Sequence, residues 1–247
     1  MTEKLRLDAL LFARGLAPSR TAAQALILEG KVRVEGRVET KAGRAVADDV
    51  TVEVEAPPRF VSRGGEKLEG AFSKFPAWTV EGLVCLDVGS STGGFTDCML
   101  QHGALRVMAI DVGTNQLAYK LRTDPRVWVR ENFNARNLTV ADLPERPARA
   151  VTDVSFISLK LILPPICDVL TGGGEIVALI KPQFEVGKGK APGGLVRDER
   201  LRLEARDEIV RFGREELGLE LLGLEESPIK GKEMGNIEYL SFWRKRE

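Results

Sequence analysis

The sequence predicts an α/β fold in which a mostly parallel sheet follows a small α+β unit. From residue 81 onward, short apolar runs alternate with helical patterns, an order typical of a parallel sheet covered by helices. Before residue 57, two helical patterns precede segments with a period of two, and Pro57-Pro58 separates the two regions. We therefore expect domains at 1–56 and 63–247, joined by a linker at 57–62.

The small unit is predicted to contain two helices followed by two strands. Its first helix follows from a helical set of leucines: Leu5, Leu7, Leu10, Leu11 and Leu16. Ser19 is a good N-cap for a second helix, and Gly30 is suited to end it. Alternation of polar and apolar residues at 31–36 and 50–54 predicts the strands.

The large unit is predicted to repeat strand, loop and helix. Apolar runs predict strands at 84–88, 107–112, 127–130, 150–154, 176–181 and 237–243. Helical patterns occupy 96–102, 115–122, 159–170 and 199–217, and Lys67 lies at the start of another. Such sheets bind ligands at the carboxyl ends of their strands, so residues that close the strands are the first functional candidates.

Composition limits the function classes. Apolar residues make up 43% of the chain and charged residues 29%, with a net charge of zero, which predicts a packed core. Residues 1–47 carry a modest basic excess, which does not identify a nucleic-acid surface by itself. The three cysteines lack metal-ligand spacing, so we expect buried thiols and no metal. Charged residues follow Met1 and the apolar runs are short, which favours a cytoplasmic protein that does not enter membranes.

A glycine-rich loop, DVGSSTGGF from Asp87, lies between a predicted strand and a predicted helix. Glycines there allow the backbone to approach a ligand closely. A dinucleotide fold also uses such a loop, but the spacing is not G-x-G-x-x-G, and an acidic residue precedes the first glycine by two positions. These details favour S-adenosyl-L-methionine, because a carboxylate can help hold its cationic methionine end. Within the loop, the expected contacts are Asp87, Gly89, Ser90, Ser91, Gly93, Gly94 and Phe95.

Two later segments complete the predicted cofactor site. Asp111 and Val112 close the next strand, where a carboxylate can accept hydrogen bonds from ribose hydroxyls. Phe133 and Asn134 follow a third strand, where an adenine ring could be held or where an ordinary polar loop could lie. The only histidine, His102, ends a predicted helix, and helix capping explains it better than catalysis.

Four separated charged residues are candidates for one active site. Asp153 and Lys181 close two strands and should face the same crevice as the glycine-rich loop, while Lys67 opens a helix and Glu238 opens the last strand. Two lysines and two carboxylates suit methyl transfer to a weak nucleophile such as a ribose hydroxyl. Lys181 can act as the base or hold the developing oxyanion, and the carboxylates can orient the lysines.

The small unit resembles the S4 RNA-binding domain through Arg6-Leu7-Asp8, GLAPSR at 15–20 and ALILEGKVRVEG at 25–36. The resemblance implies a helical face that contacts structured RNA, mostly at phosphates. The residues implied are Arg6, Ser19, Arg20, Gln24, Lys31 and Arg33.

From residue 59 onward, five segments carry a second resemblance: SRGGEKL, LDVGSSTGGFTDC, DVSFISL, KPQFEVG and SPIKG. Through them the chain resembles the TlyA family, also called haemolysin A, a branch of the FtsJ-like ribose methyltransferases with a Rossmann-like fold. The resemblance implies a catalytic tetrad of Lys67, Asp153, Lys181 and Glu238. It also implies 2′-O-methylation of cytidine in 16S or 23S ribosomal RNA, within ribosomal subunits. The segment DVGTNQ, which starts at Asp111, departs from the family pattern after the shared Asp-Val-Gly, and Asn132-Phe133-Asn134 also differs from it. These differences affect the expected adenosine contacts.

Two other function classes compete with this hypothesis. A catalytically silent RNA-binding or ribosome-assembly factor would share the S4-like unit but would not need all four tetrad residues. A membrane-lysing toxin is suggested by the older family name, and the lack of a long apolar segment argues against it.

Overall fold

The computed structural model describes residues 4–56, 58–187, 189–231 and 235–247. The chain divides into two compact units, Met1–Pro58 and Arg59–Glu247. Within the described ranges, no helix combines the length and the apolar character needed to cross a membrane.

The smaller unit is built from two short helices and five short strands. Its elements are β1 (Lys4–Arg6), α1 (Leu7–Ala13), α2 (Arg20–Leu28), β2 (Val32–Val34), β3 (Arg37–Val38), β4 (Ala45–Ala47) and β5 (Val52–Val54). Strands β3, β2 and β5 form an antiparallel sheet in that order, and β1 pairs with β4. As predicted, Ser19 caps α2, because its hydroxyl oxygen accepts the N–H of Ala22 at 3.1 Å. Gly30 follows the C-cap residue Glu29 and has a positive φ of 71°, which is common for the glycine that ends a helix.

The larger unit alternates strands and helices. Its elements are α3 (Gly64–Lys74), β6 (Val84–Val88), α4 (Gly94–Gln101), β7 (Arg106–Ile110), α5 (Tyr119–Arg122), β8 (Val127–Arg130), β9 (Arg149–Thr152), α6 (Leu163–Val169), β10 (Glu175–Ile180), α7 (Pro182–Glu185), α8 (Glu199–Glu215), β11 (Glu220–Glu226) and β12 (Tyr239–Arg244).

These strands form one seven-stranded sheet in the order β11-β12-β10-β9-β6-β7-β8. The five strands from β10 to β8 are parallel, whereas β12 is antiparallel to both β10 and β11. Every residue of β10 is buried, as expected for a parallel strand covered on both faces. From β6 the chain adds β7 and β8 on one side of the sheet, and it then adds β9 and β10 on the other side. A crevice therefore forms where the loops after β6 and β9 diverge.

The predicted α/β class and mostly parallel sheet are confirmed, and the strands at 84–88 and 127–130 match β6 and β8 residue for residue. Other strand ends were placed too far along the chain. Val112, Val154 and Lys181 lie beyond β7, β9 and β10, at the edge of the crevice. The apolar pattern could not show this, because an apolar side chain can continue past the last paired residue; Val112 is 72% exposed.

The helix predicted at 115–122 begins only at Tyr119. Upstream of it, the carboxylate of Glu131 accepts the backbone N–H groups of Asn115, Gln116 and Leu117. Asn115 also has a positive φ of 54°, which an α-helix does not permit. This side chain therefore holds the segment as a turn.

Three further predictions were wrong in their bounds. The helix at 159–170 is split into a 3₁₀ turn, Leu159–Leu161, and α6, because Pro164-Pro165 lack the N–H groups that a continuous helix needs. Leu5 belongs to β1 and Leu16 lies beyond α1. The last strand starts at Tyr239, one residue after Glu238. Strands β1, β3, β4 and β11 and helix α7 were not anticipated.

The larger unit starts inside the segment that we predicted as a linker. Phe60 is buried in its core, and the N–H of Val61 donates to Asp97 Oδ2 at 2.8 Å. Residues 60–62 thus pack with the larger unit. Pro57 lies outside the described residues.

Candidate active site

The loop after β6 lies at the point where the sheet changes direction. Gly89 and Ser91 have positive φ angles of 81° and 48°, so the chain turns sharply there. A Cβ at Gly89 would lie 2.9 Å from Val154 Cγ1, and glycine is therefore required. Asp111 accepts the N–H of Ser91 on one carboxylate oxygen and that of Gly113 on the other, both at 2.7 Å. Asp111 thus fixes the loop as well as lining the cleft beside it.

The two glycines at the end of this loop are required by packing within the protein. A Cβ at Gly93, where φ is 98°, would lie 2.3 Å from Leu121 Cδ1. A Cβ at Gly94 would lie 2.3 Å from Ser62 Oγ and 2.7 Å from the backbone nitrogen of Gly65. We predicted that these glycines allow close approach of a ligand. Their nearest neighbours are α5 and the start of α3, so they allow these helices to pack closely. Their contact with a ligand stays a prediction.

Asp87 is fully buried at the base of the loop. Its Oδ2 accepts a hydrogen bond from the Thr96 hydroxyl at 2.6 Å, whereas no described residue donates to Oδ1. Burial raises the pKa of Asp87 to about 7, although the Thr96 hydrogen bond acts in the opposite direction. An unpaired buried carboxylate oxygen is costly, and it indicates a position where a cationic group would be stabilised.

Two clefts open at this end of the sheet, with volumes of about 790 and 920 Å³. The first contains predicted cofactor contacts from three strand ends: Gly89, Ser91, Asp111, Val112, Phe133 and Asn134. The second contains the remaining loop residues Ser90, Gly94 and Phe95, together with all four charged candidates. Asp87 and Gly93 line neither cleft. The clefts share five lining residues, so a ligand in one would lie beside a ligand in the other: Gly89, Ser91, Asp153, Ser155 and Phe156.

Lys67, Asp153, Lys181 and Glu238 form one continuous chain of ion pairs. Lys67 Nζ lies 2.8 Å from Glu238 Oε2 and 3.2 Å from Asp153 Oδ2. Lys181 Nζ lies 2.6 Å from Asp153 Oδ1 and donates to Ser155 Oγ at 2.8 Å. The structure therefore brings together all four of the residues that the sequence analysis grouped.

The fold explains how distant residues meet here. Asp153 and Lys181 follow the adjacent parallel strands β9 and β10. Ile180 pairs with Tyr239 in the antiparallel register of β10 and β12, which places Glu238 level with Lys181. Helix α3 then directs Lys67 between the two carboxylates.

Each charge of this chain is compensated by its neighbours. Burial alone would lower the pKa of Lys67, but Asp153 and Glu238 outweigh it and the pKa is raised. Burial alone would raise the pKa of Asp153, but Lys181 and Lys67 outweigh it and the pKa is lowered. Removal of one partner from such a buried set leaves an uncompensated charge, at a cost of about 3–5 kcal/mol.

Glu238 is held by residues that the sequence analysis did not select. Gln183 Nε2 donates to Glu238 Oε1 at 3.2 Å. The buried side chain of Asn236 accepts the N–H of Val196 at 3.0 Å and donates to the carbonyl of Gly194 at 2.7 Å. Asn236 therefore ties the glycine-rich turn at Pro192–Gly194 to the segment that carries Glu238.

Phe156 is an exposed aromatic residue at the junction of the two clefts. It is 80% exposed and has a positive φ of 63°, a strained conformation for a bulky residue. Its ring centroid lies 5.1 Å from that of Phe184. The DVSFISL motif contained this residue, but only the backbone geometry shows that its ring is presented to solvent.

Around the first cleft, the Arg130 guanidinium lies 4.0 Å from the centre of the Phe133 ring. Asn134 caps a short 3₁₀ turn, because its side-chain oxygen accepts the N–H of Arg136 at 3.1 Å. Contact of Phe133 and Asn134 with an adenine ring stays a prediction.

In the smaller unit, three of the predicted RNA contacts converge on one buried carboxylate. Asp8 accepts hydrogen bonds from Arg6 at 3.0 and 3.1 Å, from Gln24 at 2.7 Å and, more weakly, from Arg20 at 3.3 and 3.4 Å. Arg6 and Asp8 form the strongest of these pairs, and the pKa of Asp8 is held well below its usual range. Both arginines stay about half exposed.

The other predicted RNA contacts lie apart from Asp8. Ser19 uses its hydroxyl oxygen for the helix cap, Lys31 pairs with Glu29 at 2.6 Å, and Arg33 donates to the carbonyl of Gly36 at 3.2 Å. The RNA-binding roles of all six residues stay predictions.

Comparison with known proteins agrees with this geometry. Residues 60–245 match the family model of FtsJ-like methyltransferases, and residues 5–52 match that of the S4 domain. Over 247 residues the chain is 46% identical to the 16S/23S rRNA (cytidine-2′-O)-methyltransferase TlyA of Mycobacterium tuberculosis, covering 99% of this chain and 91% of that protein. The chain belongs to the TlyA family of FtsJ-like methyltransferases.

Other TlyA-family relatives carry the older name. Hemolysin A of Brachyspira hyodysenteriae is 45% identical over 96% of this chain and 98% of its own length. A solved structure named as a hemolysin, from Streptococcus thermophilus, superimposes with a TM-score of 0.75 at 40% identity and covers 100% of this chain and 90% of that one. The predicted family, fold and enzyme class are thus confirmed.

Proposed function

We propose that this protein transfers a methyl group from S-adenosyl-L-methionine to the 2′-hydroxyl of a cytidine in ribosomal RNA. The observation that carries the proposal is the chain of ion pairs formed by Lys67, Asp153, Lys181 and Glu238 beside the glycine-rich loop. The named activity of the Mycobacterium tuberculosis relative supports the choice of cytidine and of ribosomal RNA.

The first cleft fits S-adenosylmethionine. Its volume of about 790 Å³ suits a nucleoside-sized ligand. Asp111 offers acceptors for ribose hydroxyls, and Asp87 lies buried at the base of the loop, where its ionised form would attract a cationic group. We assign the adenosine to the side of Val112, Phe133 and Asn134. When bound, the cofactor supplies a methyl group that its sulfonium has already activated.

We assign the contact with the target 2′-oxygen to Lys181. A ribose hydroxyl is a weak acid, and its proton must pass to water as the oxygen–methyl bond forms. Negative charge is present on the oxygen while that proton leaves. Because Lys181 pairs with Asp153 and donates to Ser155, its ammonium is positioned to stabilise that charge. A rate of methyl transfer that falls at high pH supports this role, whereas a rate that only rises with pH assigns the base to Lys181.

Lys67 and Glu238 hold Asp153 and Lys181 in position. Lys67 contacts both carboxylates and therefore fixes Asp153, which in turn fixes Lys181. Glu238 balances the charge of Lys67, and Gln183 holds its second oxygen.

We propose that residues 1–56 bind the RNA and that the larger unit, Arg59–Glu247, carries out the transfer. The exposed arginines that Asp8 holds supply phosphate contacts. In the larger unit, the exposed ring of Phe156 offers a face on which an unstacked base could lie, at the junction of the two clefts.

The test is transfer of labelled methyl groups from S-adenosylmethionine to 16S and 23S RNA, each supplied within its ribosomal subunit. We expect label in RNA that resists alkaline cleavage at one cytidine, because a methylated 2′-oxygen cannot attack the neighbouring phosphate. Label on a base would contradict the assigned hydroxyl. Binding of RNA without any transfer, in both subunits, would favour an assembly factor that does not act as an enzyme.

A further inference from the structure

Outside the two clefts, helices α3 and α4 bring together a carboxylate, a thiol and an imidazole: Glu69, Cys98 and His102. Their ligand atoms all lie within 4.8 Å of one another. Glu69 Oε2 lies 2.7 Å from His102 Nε2 and 3.7 Å from Cys98 Sγ. We propose that this cluster binds a thiophilic divalent cation, for which zinc is the best chemical match.

The helices place these donors on facing surfaces. Cys98 lies in α4 and His102 is its C-cap, so the two residues are four positions apart and share one face of the helix. Glu69 lies on α3, which packs against α4. Carboxylate oxygen, imidazole nitrogen and thiolate sulfur are the protein ligands that zinc takes. The sequence analysis considered the cysteines and the histidine separately, and therefore missed the Cys-x₃-His spacing.

The distances are close to those of a coordination site. Bond lengths of about 2.0–2.3 Å place the donors of a tetrahedral zinc ion roughly 3.3–3.5 Å apart. The distance from Glu69 Oε2 to His102 Nε2, 2.7 Å, is shorter than this range, and the distance to Cys98 Sγ, 3.7 Å, is longer. Side-chain shifts of about 1 Å would therefore bring all three donors onto one ion. Glu69 and His102 are each about one-third exposed, so an ion could reach them from solvent.

Neighbouring groups already orient two of the three donors. The His102 ring stacks on Phe72, with centroids 3.7 Å apart and planes within 7°. Arg59 donates to Glu69 Oε1 at 2.7 Å, which leaves Oε2 directed at the cluster. Such hydrogen bonds to a ligating carboxylate are typical of metal sites.

The Cys98 thiol must lose its proton when the ion binds, because the thiolate is the ligand. The Cys98 thiol is buried beside Glu69. Binding forms a sulfur–metal bond and releases the thiol proton to solvent. The ion would join α3, which carries Lys67, to α4, which begins at Gly94 of the cofactor loop. Occupancy should therefore raise the thermal stability of the larger unit.

The test uses full-length protein freed of metal with a chelator and titrated with Co²⁺ or Zn²⁺ alone. We expect one equivalent of Co²⁺ to bind with a thiolate-to-cobalt charge-transfer band and the visible bands of a tetrahedral site, and Zn²⁺ should remove both. Cys98→Ser should abolish the charge-transfer band. His102→Gln should weaken Co²⁺ binding by more than about 100-fold, which exceeds the usual effect of changing a residue that only hydrogen-bonds to a ligand.

Cys167→Ser is the matched control. Cys167 is also buried, and in the part of the chain that the structure describes it belongs to no comparable group of ligands. The control should bind Co²⁺ as the unchanged protein does, and circular dichroism without metal checks that each variant is folded. Absence of the charge-transfer band in the unchanged protein, or its persistence in Cys98→Ser, would overturn the proposal. Methyl transfer does not enter this test, so the proposed function can succeed or fail independently.

Discussion

Asp87 should make the larger unit less stable as the pH rises from its ordinary pKa of 3.8 to about 7. Burial raises its pKa from an ordinary value of 3.8 to about 7. Between these values the folded protein keeps a proton that the unfolded chain has released, so the free energy of unfolding decreases as the pH increases. Above pH 7 both states are ionised at this group, and its contribution becomes constant. Asp87→Asn removes the effect while keeping an acceptor for the Thr96 hydroxyl.

The magnitude follows from the interval. One pH unit across which a single group differs fully in protonation corresponds to about 1.4 kcal/mol. Because Asp87 is half ionised at a pH equal to its pKa, the step from pH 5 to pH 7 corresponds to about 2 kcal/mol. We expect the variant to gain this much stability relative to the unchanged protein between pH 5 and pH 7. The difference should then stay constant to pH 9.

The assay is urea unfolding at several pH values, without cofactor, followed by tryptophan fluorescence. All three tryptophans, Trp78, Trp128 and Trp243, lie in the larger unit, so the signal reports on that unit. Asp124→Asn is a suitable control, because Arg126 lowers the pKa of Asp124 and both states are ionised there above pH 5. A constant difference between Asp87→Asn and the unchanged protein from pH 5 to pH 9 would refute the reasoning.

Three further substitutions test other parts of the account. Asp8→Asn weakens the hydrogen bonds that hold Arg6 and Arg20 and should lower the RNA affinity, measured by filter binding, by about tenfold, the effect of one or two such bonds. The control Glu39→Gln changes a pair with Arg44 on the surface and should leave the RNA affinity unchanged. Phe156→Ala should raise the KM for RNA by about tenfold, as expected for loss of one stacked base, and Phe156→Tyr should restore it; an unchanged KM in the alanine variant contradicts the stacking role. Asn236→Ala should lower kcat while the dissociation constant for S-adenosylhomocysteine, measured by calorimetry, stays the same; a change in cofactor affinity alone would mean that Asn236 does not act through Glu238.

The sequence predicted those parts of the site that depend on local pattern. Asp153 and Lys181 close apolar runs, and parallel strands present their carboxyl ends at one edge, so their proximity could be expected before the strand order was known. The position of Glu238 could not be predicted in this way, because it depends on β12 lying antiparallel between β10 and β11. The family resemblance supplied that residue, and the register of β12 explains it.

Contacts between side chains from separate elements were not predictable in this way. Asp8 is one acidic residue among several in the first domain, and only the fold shows that it is buried beneath Arg6 and Arg20. The meeting of Glu69 with Cys98 and His102 depends on the packing of α3 against α4. Gly94 makes that packing possible, although the sequence suggested a ligand as the reason for this glycine.

The most direct test of the central claim is the single-turnover rate of methyl transfer by Lys181→Ala. Lys74→Ala is the matched control, because Lys74 lies at the end of α3 and pairs with Glu225 at the surface. If the four ion-paired residues form the active site, Lys181→Ala should slow transfer by at least about 100-fold, with the affinities for S-adenosylhomocysteine and RNA unchanged, and Lys74→Ala should transfer at the normal rate. A normal rate of transfer by Lys181→Ala would contradict the claim.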